Sequence, residues 1–110
     1  MDVVFQNEKL QRQFSEHRQL QARYGAVGAK TIGRRIQQLQ AAPTLADMRN
    51  MPGRCHELTG DRAGQLAVDV HQPYRLIFLP TAQPSPAKAD GGLDWNAVDS
   101  VTVLEIVDYH

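Results

Sequence analysis

One cysteine, Cys55, occurs among 110 residues, which excludes an intramolecular disulfide framework and a thiolate-built zinc site within one chain. Long apolar runs are missing as well. No stretch approaches the roughly 18 consecutive apolar residues of a membrane helix. The opening MDVVFQNEKLQRQF has neither the basic n-region nor the apolar h-region of a secretory signal. The expectation is a cytoplasmic protein with no membrane partner. A hydrophobic share of 42% beside 22% charged residues excludes wholesale disorder and low-complexity or collagen-like chains. A chain of this length is expected to form one domain, residues 1–110.

Net charge is absent too: 12 Lys and Arg stand against 12 Asp and Glu. Taken whole, that balance argues against a nucleic-acid partner, because counterion release by excess basic groups supplies most non-specific affinity. Divided along the chain, the balance dissolves. Residues 1–50 hold eight basic residues against four acidic ones, net +4, and residues 51–110 hold four against eight, net −4.

What is present begins with a β-prone run, Val3, Val4 and Phe5, followed by Asn7 at a helix N-cap position. Over residues 8–24, Leu10, Phe14 and Tyr24 recur near helical spacing, which predicts an amphipathic helix. Gly25 and Gly28 interrupt it. A second helix, carrying Val27, Ile32, Ile36 and Leu39, should end before Pro43. Thr44 with Asp47 three residues on predicts a capped turn. The period then changes from 3.6 to 2. Residues 54–59 form a short mixed strand, and the glycine-bracketed turn Gly60, Asp61, Arg62, Ala63, Gly64 follows. Leu66, Val68 and Val70 alternate with polar or small residues, as in a half-buried strand. Residues 74–79 read as a buried central strand. The segment 80–100 lacks apolar periodicity and is expected to be a mobile hairpin insertion with Trp95 anchoring its far end. Residues 101–109 make the last strand, with Val101, Val103, Val107 and Tyr109 on one face and Leu104, Ile106, Asp108 and His110 on the other.

The chain closes with Asp108, Tyr109 and His110, three titratable side chains of different type. Alternation puts Asp108 and His110 on one face, an arrangement suited to proton transfer near neutral pH. The competing reading is a solvated strand end. Arg75 lies within an apolar strand, where a charge must be paired or bound. It is expected either to pair with Asp108 or Glu105 or to hold a phosphate in its planar fork. His56 sits on a strand able to join the same sheet, and Arg62 lies in the glycine turn. His17, His56, His71 and His110 show no close metal-ligand spacing, and no glycine-rich phosphate loop or serine nucleophile motif occurs. Cofactor-free acid and base chemistry with an arginine clamp is what remains.

These residues carry a resemblance. The run Pro52, Gly53, Arg54, Cys55, His56, Glu57, Leu58, Thr59, Gly60, Asp61, Arg62, Ala63, Gly64, then Tyr74, Arg75, Leu76, Ile77, Phe78 and the ending Glu105, Ile106, Val107, Asp108, Tyr109, His110 resemble the HigB branch of the RelE/ParE toxin superfamily, the plasmid maintenance system killer proteins. The likeness is strong from about Met51 onward and topological before it. It implies an α+β, microbial-RNase-like fold: two N-terminal helices packed on an antiparallel sheet. It also implies a type II toxin that cleaves mRNA in the ribosomal A site without a metal and is silenced by a HigA-like helix-turn-helix antitoxin. By the same resemblance, His56, Asp108, Tyr109 and His110 are catalytic, Arg75 contacts phosphate, and Arg62 is an additional RNA contact. The sequence departs from the family in having no lysine among Glu57, Leu58 and Thr59, and in the 80–100 insertion. Two other readings stand beside this one: a ParE-like toxin that poisons DNA gyrase, and a non-catalytic relic kept for binding its antitoxin.

Overall fold

The computed structural model describes residues 1–108. Tyr109 and His110, expected as site residues, lie outside the described residues. The chain runs β1 (Asp2–Phe5), α1 (Glu8–Ser15), α2 (His17–Ala41), a 3-10 turn (Leu45–Asn50), β2 (His56–Glu57), a second 3-10 turn (Gly60–Arg62), β3 (Leu66–Asp69), β4 (Tyr74–Pro80), a third turn (Trp95–Ala97) and β5 (Ser100–Asp108). The α+β architecture expected from the change of period is what forms.

Asn7 caps α1 as its position predicts, its Oδ1 accepting from the Leu10 amide at 2.8 Å. The single helix expected over residues 8–24 is instead broken at Glu16, whose backbone is extended (φ −109°, ψ 99°). Leu20 follows Phe14 by six residues, about 240° further round a continuous helix. One straight rod therefore cannot turn both to the sheet, and the break re-phases the apolar stripe. Gly25 does interrupt α2: at φ 79° and ψ 169° it divides the helix into two segments, a conformation that suits glycine. The Thr44–Asp47 capping box is present.

The sheet has the order β1-β5-β4-β3-β2, with β1 parallel to β5 and every other pair antiparallel. Helices α1 and α2 cover one side. Ile32, Leu39, Leu45, Met48, Leu66, Val68, Leu76, Phe78, Val101 and Val103 form the core between them, all fully buried. The segment between β4 and β5 turns back on itself through the Ala87–Leu93 pairing and then enters this same core. Trp95 and Val98 are buried there, and the Val98 carbonyl accepts from the Leu45 amide at 2.9 Å. The segment thus backs the sheet on its helical side.

Two details of the strands differ from the alternation expected. Ala67 and Ile77, register partners on the side of the sheet away from the helices, are also fully buried, so β3 is covered on both faces at its centre. In β5 a bulge lies opposite Ile77 and Phe78, which pair with Glu105 and Val103. The extra residue, Leu104, shifts the pleat by one. Ile106, rather than Val107, continues the core side begun by Val101 and Val103, pairing with Leu76 and packing on the core.

Candidate active site

The sheet side away from the helices carries His56, Arg62, Asp69, Arg75 and Glu105. His56, Ala67, Ile77 and Glu105 are successive register partners across β2, β3, β4 and β5. Two residues along, Asp69, Arg75 and Val107 form the next row on the same side. With strands about 4.8 Å apart and about 6.8 Å between alternate residues, the His56 and Arg75 backbones stand on the order of 12 Å apart.

His56 is oriented from behind. Its Nδ1 lies 2.6 Å from the Arg54 carbonyl oxygen. A carbonyl only accepts, so Nδ1 carries the hydrogen and donates, and Nε2 is the position at which the ring gains or loses a proton. Arg54 itself has φ 50°, and with Gly53 (φ 108°) it forms the turn that delivers β2 to the sheet edge. That turn is pressed against β3: the Gly53 carbonyl accepts from the Asp69 amide at 2.7 Å. A Cβ on Gly53 would stand 2.5 Å from Val68 Cγ2.

Asp69 organises the arginines. Its Oδ2 accepts from Arg54 Nε at 2.7 Å, while its Oδ1 lies 3.0 Å from Arg75 Nε as an ion pair without an aligned hydrogen bond. The Asp69 carbonyl accepts from Arg35 Nε at 2.8 Å. Burial against the sheet, and then the neighbouring Arg34, hold the Arg35 pKa below its ordinary value, with Asp69 opposing them. Arg62 donates to Gln65 at 3.0 Å and to Glu105 at 3.3 Å. The second contact spans β3 and β4, above Ala67 and Ile77.

Of the residues singled out in the sequence, His56, Arg62 and Arg75 share this side of the sheet. Arg75 does find a carboxylate, but it is Asp69 on β3, and Glu105 is taken by Arg62. Asp108 ends β5 as the register partner of Tyr74, one position beyond the Arg75–Val107 pair. By the shifted pleat it falls on the core side of the strand. Sequence reasoning missed Arg54, Asp69 and Arg35. Asp69 was visible as a polar position in an alternating strand, and Arg54 as the residue after a proline-glycine turn. Arg35 sat on a helix face with no mark to distinguish it.

Comparison with solved structures decides the fold. A YoeB/ParE toxin from Agrobacterium tumefaciens superposes over all of both chains with TM-score 0.60 at 14% identity. A YoeB dimer from Staphylococcus aureus matches with TM-score 0.53 at 12% identity, over all of this chain and 97% of that one. The chain has the YoeB/ParE toxin fold. No family profile and no curated protein matches the sequence. On this fold, the sheet side that carries His56, Arg62 and Arg75 faces away from the helices, and the Arg62–Glu105 pair lies over the buried Ala67 and Ile77 at its centre. No helix among the described residues is long and apolar enough to cross a membrane.

Proposed function

We propose that the chain is the toxin of a type II toxin-antitoxin pair and acts as a ribosome-dependent endoribonuclease on mRNA. The observation that carries this reading is that His56, Arg62 and Arg75 share the side away from the helices of a sheet with the YoeB/ParE toxin fold. Asp108, the last described residue of β5, lies one position beyond the Arg75–Val107 pair.

In the proposed reaction a ribose 2′-oxygen attacks the adjacent phosphorus, the bond from phosphorus to the 5′-oxygen breaks, and the products are a cyclic phosphate and a free 5′-hydroxyl. The 2′-hydroxyl proton goes to His110, because Asp108 lies on the core side of β5. His56, held through Nδ1 and protonated at Nε2, gives a proton to the leaving 5′-oxygen. Arg75 stabilises the charge that develops on the phosphorane oxygens, and Tyr109 orients the nucleotide. General acid-base assistance supplies roughly 10² to 10⁴ in rate, so substrate alignment by the ribosome carries a large part of the remainder. The expected partners are the ribosome with its mRNA and a HigA-like helix-turn-helix antitoxin docking on the basic helical half.

Mapping of mRNA ends shortly after induction should show new 5′-hydroxyl ends in translated regions. His56→Ala should lower the cleavage rate on programmed ribosomes by about 10² or more, with an unchanged thermal melt. Cleavage at the wild-type rate by that variant overturns the site. Inhibition of gyrase supercoiling without any mRNA cleavage would favour the ParE-like reading, and growth unaffected by induction would favour the relic.

A further inference from the structure

Two features that stand outside the RelE/ParE resemblance, Glu57 in β2 and the segment between β4 and β5, meet in the structure. Trp95 Nε1 donates to Glu57 Oε2 at 3.1 Å, across 38 positions of sequence. Side chains alternate along a strand. Glu57 thus turns to the helical side of the sheet, where Trp95 is buried, while its neighbour His56 turns to the other side. A bond that fixes Glu57 therefore fixes the piece of backbone from which the imidazole projects.

Trp95 is itself firmly held. It opens the 3-10 turn Trp95–Ala97, whose cap Asp94 accepts at Oδ1 from the Asn96 amide at 3.2 Å. The Asp94 amide donates to the Pro86 carbonyl at 3.0 Å. The Arg49 guanidinium lies over the indole, 4.3 Å from the ring centre. With the ring only 6% exposed, its N–H is a fixed donor, and a buried indole N–H is costly to leave without an acceptor. Strand β2 has far less support of its own. Its ladder consists of two pairs, His56–Ala67 and Glu57–Leu66, and its outer edge has no neighbouring strand. One charge-assisted hydrogen bond is a large addition to so short a strand.

We infer that Trp95 is a positioning residue for the proposed reaction: through Glu57 it holds β2 against β3 and so sets the reach of His56. The segment between β4 and β5 is then a brace for the edge strand that carries the general acid. Its kinetic consequence rests on the ribonuclease reading, whereas its effect on the strand does not. Trp95 touches no substrate. His56 delivers its proton only from the docked strand, so a weaker brace lowers kcat and leaves KM where the rest of the sheet sets it.

Trp95→Phe keeps an aromatic ring beneath Arg49 and removes the N–H. The Leu58 amide, which donates to the Gln65 carbonyl at 2.9 Å, reports docking of β2. It exchanges through local opening, which a general loss of stability does not touch. In Trp95→Phe its exchange should quicken about fivefold, the usual net worth of one hydrogen bond. On programmed ribosomes kcat should fall about two- to fivefold at unchanged KM. Glu57→Ala should match Trp95→Phe, and the double variant should be no worse than either single one. Glu57→Gln keeps an acceptor and should stay within about twofold of the wild type. If Trp95→Phe melts below the assay temperature, the contrast of Glu57→Ala with Glu57→Gln carries the test, since Glu57 lies outside the core.

Wild-type Leu58 exchange in Trp95→Phe and Glu57→Ala would overturn the brace, as would additive effects in the double variant. Faster exchange at wild-type kcat would overturn the positioning role, and so would a raised KM at wild-type kcat, which would make the pair a substrate contact. His56→Ala run alongside separates the two levels. If it cleaves ribosome-bound mRNA normally, the ribonuclease reading fails whatever the exchange rates show. If it is inactive while Trp95→Phe cleaves and exchanges as the wild type does, the positioning role alone fails.

Discussion

Gly53 holds the candidate site together through what it lacks. With φ at 108° and no room for a Cβ between Val68, Arg35 and the Asp69 carbonyl, its replacement by alanine combines backbone strain with overpacking. Gly53→Ala should cost about 2–4 kcal/mol in stability, read as a lowered midpoint in urea unfolding. Two residues on, Cys55 packs against the core and its thiol is pushed up to about 12 by burial, with Arg49 opposing the shift. Because the folded value lies above the ordinary 9.0, the unfolded chain loses its proton first as pH rises. The contribution of Cys55 to stability is thus complete below about pH 9 and falls by about 1.4 kcal/mol per unit above it. Melts across pH 9 to 11 should fall more steeply for the wild type than for Cys55→Ala. The same burial should leave the native thiol unreactive toward a disulfide reagent at pH 8. At this scale the sequence showed which residue types were chemically able, His56 and Arg75 among them. It did not show their partners, because Asp69, Glu105 and Asp108 are all acids on neighbouring strands and only the register, shifted by the Leu104 bulge, decides between them.

At the scale of elements, most of what formed was legible because it rests on local physics. Asn7 and the Thr44–Asp47 pair are capping residues whose hydrogen bonds span three positions. Residues 74–79 could be read as a central strand from their apolar and β-branched run. The break at Glu16 was harder to see, since no proline or glycine marks it and the cause is the phase of distant side chains. The two-residue length of β2 was equally hidden, because residues 54–59 differ little in composition along their length. Two glycines in α2 separate backbone need from mere tolerance. Gly25 has open space around it but positive φ, whereas Gly33 has open space and ordinary helical geometry. Gly25→Ala should therefore lower stability by about 1 kcal/mol, while Gly33→Ala should raise it by about 0.5–1 kcal/mol. Paired denaturation curves would show shifts of opposite sign.

For the molecule as a whole, folding redistributes the charge that the sequence divides into a basic and an acidic half. Three of the four basic residues after position 50, Arg54, Arg62 and Arg75, meet on the side of the sheet away from the helices. Asp90 and Asp94 belong to the segment that turns back toward the helical side. The acidic half of the sequence thus presents a face on which three arginines pair with Asp69 and Glu105, which no window along the chain would reveal. His56 occupies the least anchored part of that face. Strand β2 has two residues at the edge of the sheet, one neighbour, and few ladder bonds. Short, one-sided pairing of this kind opens locally at far lower free energy than the interior of a sheet. Amide exchange at Glu57 and Leu58 should accordingly run orders of magnitude faster than at Leu76, Ile77 and Phe78, and slow when a nucleic acid is bound. The imidazole would then be a part-time member of its own site, brought to full occupancy by the substrate it cuts, and the free protein would be restrained by the looseness of a single edge.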